Sequence, residues 1–241
     1  MKKGVLLVVH GSRFPKWRQV IHRLVKDLHI EYPIEIGFLD GFGEEGITEA
    51  LLGLKKNGVT QALVIPLFVC SGSGHIEEIR FSLGFGEGRT ISYFQEITLY
   101  WREPLNDHPL IREVLKERIQ DLSINPEKEV LMLVAHGSQS GEKQDVWEAM
   151  VARMASSFKK EFGFKGATYA TIRPNNLKKR ALAVSRNHSL LILPLFICEG
   201  YYTKKFIPQE LDGVLYRYDR RPYLPHSNGV RWVEEMVENW V

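Results

Sequence analysis

The sequence contains little cysteine and no long apolar run. Cys70 and Cys198 are the only cysteines among 241 residues, and neither belongs to a CxxC motif or a cysteine and histidine cluster of zinc spacing. This usage indicates a reducing compartment and excludes a fold that depends on disulfide bonds. The apolar stretch 4–9 stops at His10, short of the roughly 7 to 15 residues of a signal-peptide core. The longest run, 190–198, is about half of a membrane span. We therefore expect a cytoplasmic protein without a membrane partner.

Strong charge of one sign is also missing. Lysine and arginine number 32 against 29 aspartates and glutamates, a net charge of +3, which excludes a dedicated nucleic-acid binder but permits a local basic patch. No GxxxxGK[ST] motif occurs. Residues 41–46 fit GxGxxG, but they follow the second predicted strand, and Glu44 and Glu45 stand where a pyrophosphate would approach. We therefore predict no nucleotide cofactor.

An internal repeat dominates what is present. Residues 5–12 match residues 131–138 at five of eight positions, and residues 63–70 match residues 191–198 equally well. The first histidine and the first proline of these segments lie 56 residues apart in one half and 58 in the other. The length permits one large domain or two small ones, and the repeat predicts two copies of one domain, residues 1–122 and 128–241. Residues 123–129 are the predicted linker.

Each copy alternates short apolar runs with amphipathic segments. The apolar runs are typical of strands buried on both faces of a parallel sheet. In the first copy we predict strands at 34–39 and 62–68, a helix at 47–56, and a helix at 109–122 that closes the copy. Strands that alternate with helices of this length indicate βαβ units. The fold class is therefore α/β, with two tandem doubly wound parallel-sheet domains related by internal duplication.

Two histidines of the first copy are predicted to meet at one edge of its sheet. His10 ends the first strand and is followed by Gly11 and Ser12, whereas His75 follows a loop of small residues, 71–74, after the third strand. Two imidazoles can bind one divalent transition metal and leave coordination positions open. The alternatives are a histidine that caps the strand and an exposed loop histidine.

Other polar residues receive simpler interpretations. Glu77 and Glu78 are expected to be solvated carboxylates at a helix start. Cys70 and Cys198 are expected to be core thiols.

The second copy lacks the histidine pair. Thr203 stands where the first copy has His75, so His136 has no histidine partner in its own half, and a single active site in the first copy is expected. The second copy instead carries basic residues that suit a polyanionic substrate, unless they form only a solvated face. They are Lys178, Lys179, Arg180, Lys204, Lys205, Arg217, Arg220 and Arg221.

Several segments together resemble the sirohydrochlorin chelatases, the cobaltochelatases and ferrochelatases of cobalamin and sirohaem synthesis. They are VVHGSR ending at Arg13, FLD at 38–40, PLFVCSGSGH ending at His75 and FIPQEL at 206–211. The resemblance implies two chelatase-like, flavodoxin-type domains that face a central cleft, with His10 and His75 as the metal-binding and catalytic residues. It also implies an acidic residue, Asp40, beside the site.

The remaining site residues follow from this resemblance and from the small-residue loop. The expected substrate-binding set is Ser12, Arg13, Asp40, Ser71, Gly72, Ser73 and Gly74.

The predicted function is ATP-independent insertion of a divalent metal, Co²⁺ or Fe²⁺ with Ni²⁺ also possible on chemical grounds, into sirohydrochlorin. The metal is a substrate, and the expected partner is a small tetrapyrrole. The alternatives are a non-catalytic metal or tetrapyrrole carrier and a chelatase for another tetrapyrrole. A histidine phosphatase is disfavoured because Val9 and Ala135 stand where that chemistry needs arginine. The duplication is compatible with a monomer.

Overall fold

The computed structural model describes residues 1–11, 15–39 and 45–240, which form two compact units. Unit 1 contains Met1–Asn106 and Gly229–Val241, and unit 2 contains Asp107–Asn228. Each unit is an α/β sheet structure, as the alternation of apolar and amphipathic segments predicted.

Unit 1 is built on a five-stranded sheet with the strand order β2-β1-β3-β5-β4. Its strands are β1 (Lys3–Val9), β2 (Ile34–Phe38), β3 (Gln61–Pro66), β4 (Ile91–Phe94) and β5 (Ile97–Trp101). Its first three helices are α1 (Pro15–Lys26), α2 (Ile47–Lys56) and α3 (Gly74–Ser82). All strand pairs are parallel except β4 with β5, and Val5 of β1 lies opposite Leu63 of β3.

Unit 2 is built on a fully parallel sheet with the order β7-β6-β8-β9. Its strands are β6 (Glu129–Gly137), β7 (Gly166–Arg173), β8 (Ser189–Pro194) and β9 (Arg217–Tyr218). Its helices are α4 (Pro109–Leu122), α5 (Gly141–Phe162), α6 (Leu177–Ser185) and α7 (Ile207–Glu210), with a short 3₁₀ turn at Pro126–Lys128 and a π-helical turn at Tyr202–Phe206. Leu131 of β6 lies opposite Leu191 of β8, so both sheets use the same central register.

The central strands form the two cores. The side chains of Val5–Val9 and of Leu131–Ala135 are fully buried, because a strand covered by helices on both faces has no solvent-facing side. Cys70 and Cys198 form no disulfide bond, and their thiols are buried, as predicted. These equivalent runs confirm that the doubly wound fold is present twice.

The terminal helices do not follow the order of the sequence repeat. Helix α4, predicted to close the first copy, lies in unit 2, where Ile111, Val114, Leu115 and Ile119 are buried. Helix α8 (Ser227–Glu238) lies in unit 1 from Gly229 onward. There the Lys3 ammonium donates a hydrogen bond to the Trp240 carbonyl at 3.2 Å. The sequence repeat and the compact units therefore divide the chain differently.

The first half contains an additional strand near its end. Strand β4 pairs antiparallel with β5 at the sheet edge, and β9 is the only strand of unit 2 that follows β8. The glycine-containing loop before β4 is closed by Arg80, whose guanidinium donates to the carbonyls of Gly86 and Arg89 and lies over the Trp101 ring.

Within the described ranges, no helix is both long and apolar enough to cross a membrane.

Candidate functional site

His10 stands at the carboxyl end of β1, where Gly11 turns the chain. Gly11 has a φ of +94°, which is favourable for glycine and costly for other residues. The Gly11 carbonyl lies 3.1 Å from His10 Nδ1. A carbonyl oxygen only accepts hydrogen bonds, so Nδ1 carries the proton and donates it. His10 Nε2 is then left with its lone pair directed away from the turn.

His75 lies in the first turn of α3, and the loop that follows β3 sets its position. The Ser71 amide donates to the Asn106 side-chain oxygen at 2.8 Å, and the Ser73 amide donates to the Cys70 carbonyl at 3.0 Å. Ser73 is the residue before α3, with an extended backbone. These bonds hold the loop in a compact turn, so the helix begins at a defined place and carries His75 with it.

The two imidazoles meet edge to face in unit 1. His10 Nε2 and His75 Nε2 are 3.0 Å apart, the ring centroids are 4.4 Å apart, and the ring planes are nearly perpendicular at 88°. The buried Phe68 ring lies beside both, at centroid distances of 6.5 Å and 6.3 Å. The structure therefore brings together the two histidines that the sequence placed at one sheet edge.

The opposite nitrogen of each ring is bonded to oxygen. His75 Nδ1 lies 3.2 Å from Glu78 Oε2, as His10 Nδ1 lies beside the Gly11 carbonyl. A carboxylate is also only an acceptor, so both Nδ1 atoms are donors and both Nε2 lone pairs face one point. Two lone pairs at 3.0 Å repel unless a cation lies between them, and that cation is either a proton or a metal ion.

The spacing suits a divalent metal. With metal–nitrogen bonds of about 2.1 Å, nitrogens at this distance subtend about 90° at the ion, the angle between neighbouring octahedral ligands. No group of three or more histidine, cysteine or acidic side chains that could hold a metal occurs in ranges 1–11, 15–39 and 45–240. Within these ranges, the pair leaves most coordination positions open for water or for a second ligand.

The other predicted site residues are only partly described. Ser12, Arg13 and Asp40 lie outside the described residues. Ser71, Gly72 and Ser73 end the connection from β3 to α3, and Gly74 is the first residue of α3, immediately before His75. A side chain built at Gly74 would meet nothing within 4 Å, so there is open space at the start of the helix.

Glu78 was missed as a site residue. The sequence predicted a solvated carboxylate, and its side chain is indeed 63% exposed, but it also accepts the His75 hydrogen bond. The available signal was the spacing of three residues on one helix, which places both side chains on the same face. Asn106 was missed too, because it lies 35 residues from the loop amide that it binds.

The equivalent edge of unit 2 has half of this arrangement. His136 Nδ1 donates to the Gly137 carbonyl at 3.1 Å, and Gly137 has a φ of +75°. Thr203, at the position of His75, is buried and bonded to the backbone of Gly200. The Tyr202 ring faces His136 instead, with centroids 5.2 Å apart. This edge therefore presents a phenol where unit 1 presents a second imidazole.

The basic residues of unit 2 fall into two groups. Several are bonded within the unit: Arg217 to Glu129, Arg221 to Asp219 and Asp121, Lys204 to Glu199, and Arg180 to the Tyr169 carbonyl. The other four are exposed, follow the carboxyl ends of β7, β8 and β9, and have no ion pair within the described part of the chain. They are Lys178, Lys179, Lys205 and Arg220.

Comparison with known proteins places this chain in a family. The CbiX family model matches residues 4–122 and again residues 130–233, so it covers both copies. The chain belongs to the CbiX family.

Relatives of this CbiX-family chain agree with the duplication. A sirohydrochlorin cobaltochelatase of Saccharolobus islandicus is 34% identical over 121 residues, which are 49% of this chain and 94% of the relative. SirB from Bacillus subtilis with Fe³⁺ has a similar fold, with a TM-score of 0.77, 21% identity, and coverage of 99% of this chain and 97% of that one. SirB from Bacillus subtilis subspecies spizizenii in complex with cobalt has a TM-score of 0.73 at 20% identity, covering 100% and 97%. At such identities the solved structures show a shared fold.

Proposed function

We propose that this chain is a sirohydrochlorin chelatase, which inserts Co²⁺ or Fe²⁺ into the tetrapyrrole without a nucleotide, in cobalamin or sirohaem synthesis. The observation that carries the proposal is the convergence of His10 Nε2 and His75 Nε2 at 3.0 Å, with both Nδ1 atoms bonded to oxygen. Membership of the CbiX family and the names of the relatives support the choice of substrate.

The chemistry of insertion suits this pair. The ion must be partly stripped of water, and two pyrrole N–H protons must leave as the metal enters the ring. Imidazoles bind first-row divalent metals without the strong hold of thiolates, so the ion can pass to the macrocycle. An imidazole that has released the metal regains its lone pair and can accept one of the pyrrole protons.

The macrocycle is proposed to lie beside the loop that precedes His75. Gly74 has open space around it, and the neighbouring residues Ser71, Gly72 and Ser73 are proposed to contact the substrate. Ser12, Arg13 and Asp40 are also proposed to bind the substrate. Unit 2 has four exposed cations at its carboxyl edge, and they are proposed to attract the polycarboxylate substrate electrostatically; they are Lys178, Lys179, Lys205 and Arg220.

Metallation of sirohydrochlorin, followed by absorbance, tests the proposal. His10→Ala and His75→Ala should each lower kcat/KM by at least about a hundredfold, because each removes a metal ligand and a proton acceptor. His136→Ala is the matched control, since it removes the equivalent imidazole of unit 2, and it should stay within about twofold of wild type. Wild-type rates in both His10→Ala and His75→Ala would refute the proposed site.

A non-catalytic carrier is the second candidate. It is favoured by the replacement of the second imidazole in unit 2, which leaves one histidine pair in the duplicated fold. With excess sirohydrochlorin and metal, an enzyme continues through many turnovers, whereas a carrier stops after one equivalent. The same assay with Co²⁺, Fe²⁺ and Ni²⁺ in turn, under anaerobic conditions, identifies the preferred metal.

A further inference from the structure

We propose that Glu78 is a positioning residue for His75, and that it makes His75 a stronger metal ligand than it would be without this carboxylate. The consequence for metal insertion rests on the proposed function, whereas the contact and its effect on metal affinity do not. The contact is the hydrogen bond of 3.2 Å from His75 Nδ1 to Glu78 Oε2.

The helix geometry explains why Glu78 can play this role. His75 and Glu78 are three residues apart on α3, so they lie on the same helix face about one turn apart. The carboxylate holds the proton on Nδ1 and limits rotation of the ring. Nε2, on the other side of the ring, is thereby directed at His10 Nε2, 3.0 Å away.

The acceptor of the His75 hydrogen bond is charged, because His75 Nδ1 donates to a carboxylate. A carboxylate polarises the N–H bond more strongly and increases electron density on the ligating nitrogen, as in the carboxylate–histidine–metal arrangements of metalloproteins. We therefore expect the Glu78 carboxylate to make His75 retain the ion more tightly.

The expected size of the effect follows from exposure. Partners of metal-ligating histidines typically change metal affinity or activity by about 10- to 100-fold. The side chains of His75 and Glu78 are 41% and 63% exposed, so solvent screening weakens their interaction. The lower end of that range, about tenfold, is expected.

Co²⁺ affinity, measured by competition with a chromophoric chelator, is the direct test. Glu78→Ala should weaken Co²⁺ binding about tenfold, because acceptor and charge are both lost. Glu78→Gln should weaken it about threefold, because the amide oxygen still accepts from Nδ1 but carries no charge. Glu87→Gln, which neutralises an exposed glutamate in the turn between α3 and β4, is the control and should leave the affinity unchanged.

A double-mutant cycle separates positioning from a general electrostatic effect. If Glu78 acts through His75, then Glu78→Gln should still weaken Co²⁺ binding in the His10→Ala background and should have no effect in the His75→Ala background. An equal effect in both backgrounds would mean that the charge acts through space, which would overturn the proposal.

Nitrogen-15 chemical shifts of the His75 imidazole give a readout that needs no metal. In the metal-free protein, Glu78→Ala should move these chemical shifts and Glu87→Gln should not. Unchanged shifts in Glu78→Ala would overturn the proposal, even if His75→Ala abolishes Co²⁺ binding. Failure of the proposed function is distinguishable, since a wild-type chain that binds Co²⁺ but does not metallate sirohydrochlorin refutes the function and leaves the role of Glu78 intact.

Discussion

The carboxyl edges of the two sheets begin alike and end differently. At both edges a histidine ends the central strand, and its Nδ1 donates to the carbonyl of a following glycine with positive φ. In unit 1 the next loop and helix bring His75 to His10, with ring centroids 4.4 Å apart. In unit 2 the π-helical turn brings the Tyr202 ring to His136 at 5.2 Å and buries Thr203.

This difference separates the part of the edge that belongs to the shared fold from the part that is proposed to carry the chemistry. The histidine and glycine turn occurs in both units, so it can exist without a second imidazole. The proposed metal binding depends on the segment after the third strand of each copy, where His75 and Glu78 of α3 correspond to a buried threonine and an aromatic cluster. The two copies share the scaffold, and at this edge they differ in one loop and one helical turn.

The amino ends of the two central strands differ as well. Lys3 and Glu129 are the first residues of β1 and β6 and occupy equivalent registers. The Lys3 ammonium donates a hydrogen bond to the Trp240 carbonyl and lies over the Trp240 ring, and both residues belong to unit 1. Glu129 is only 2% exposed and accepts hydrogen bonds from the Ile124 and Asn125 amides, from the Ser123 hydroxyl and from Arg217. The predicted linker is therefore anchored by a buried carboxylate.

The largest expected effect concerns the shared turn. Gly137→Ala should lower the free energy of unfolding by about 3 kcal/mol, because the new Cβ would lie 2.1 Å from the Arg173 carbonyl oxygen and φ is +75°. Denaturant titration measures the change. Gly141→Ala, at the open start of α5, is the control and should stay within about 0.5 kcal/mol of wild type. Wild-type stability of Gly137→Ala would mean that the turn is not a rigid part of the scaffold.

The second-largest expected effect tests the difference between the amino ends of β1 and β6. Glu129→Gln should lower the free energy of unfolding by about 2 kcal/mol at pH 7, because a buried, multiply bonded charge is replaced. Burial alone would raise the pKa of Glu129, but hydrogen bonds from Ser123, Asn125, Ile124 and Arg217 outweigh it and the pKa lies below its ordinary value.

The pH dependence of this variant follows from that direction. A group whose pKa is lower in the folded state stabilises the fold above its unfolded pKa of about 4.3, and the contribution disappears as the pH falls through the folded-state pKa. The difference between wild type and Glu129→Gln should therefore be full near neutral pH and shrink below about pH 4. Denaturant titrations at several pH values measure it, and a difference that grows towards acid pH would contradict the assignment.

The smallest expected effect tests the basic edge of unit 2. Replacing Lys178 and Lys179 together by glutamine should raise KM for sirohydrochlorin about threefold to tenfold and change kcat less than twofold, because exposed cations contribute attraction rather than chemistry. Lys165→Gln, just before β7 and therefore at the opposite edge, is the control. If KM for sirohydrochlorin is equally affected in the control, the cations act only through net charge.

Much of the fold could be predicted from local sequence. The apolar runs of β1 and β6 are fully buried strands, helices 47–56 and 109–122 have their predicted bounds, and the repeat is confirmed by the double match to the CbiX family. The meeting of His10 and His75 could be inferred because parallel strands end at one edge. Their metal role stays a prediction, as do the roles of the other site residues.

Other features depended on contacts between distant residues. The sequence placed helix 109–122 with the first copy, whereas α4 lies in unit 2. The amphipathic pattern of a helix shows that one face is buried, but it does not show which sheet that face covers. Glu78 looked like any exposed carboxylate, because its role depends on the direction of the His75 ring. Arg217 looked available for substrate, yet Glu129, 88 residues away, pairs with it.

By itself, the sequence determined two copies of an α/β sheet domain and the strand ends that carry the histidines. These properties follow from burial and periodicity, which neighbouring residues encode. Only the tertiary structure decided which helices complete each unit, that Nε2 of both histidines faces one point, and that Tyr202 replaces the second imidazole in unit 2. Such features depend on the packing of side chains that are far apart in the chain, and local composition does not specify that packing.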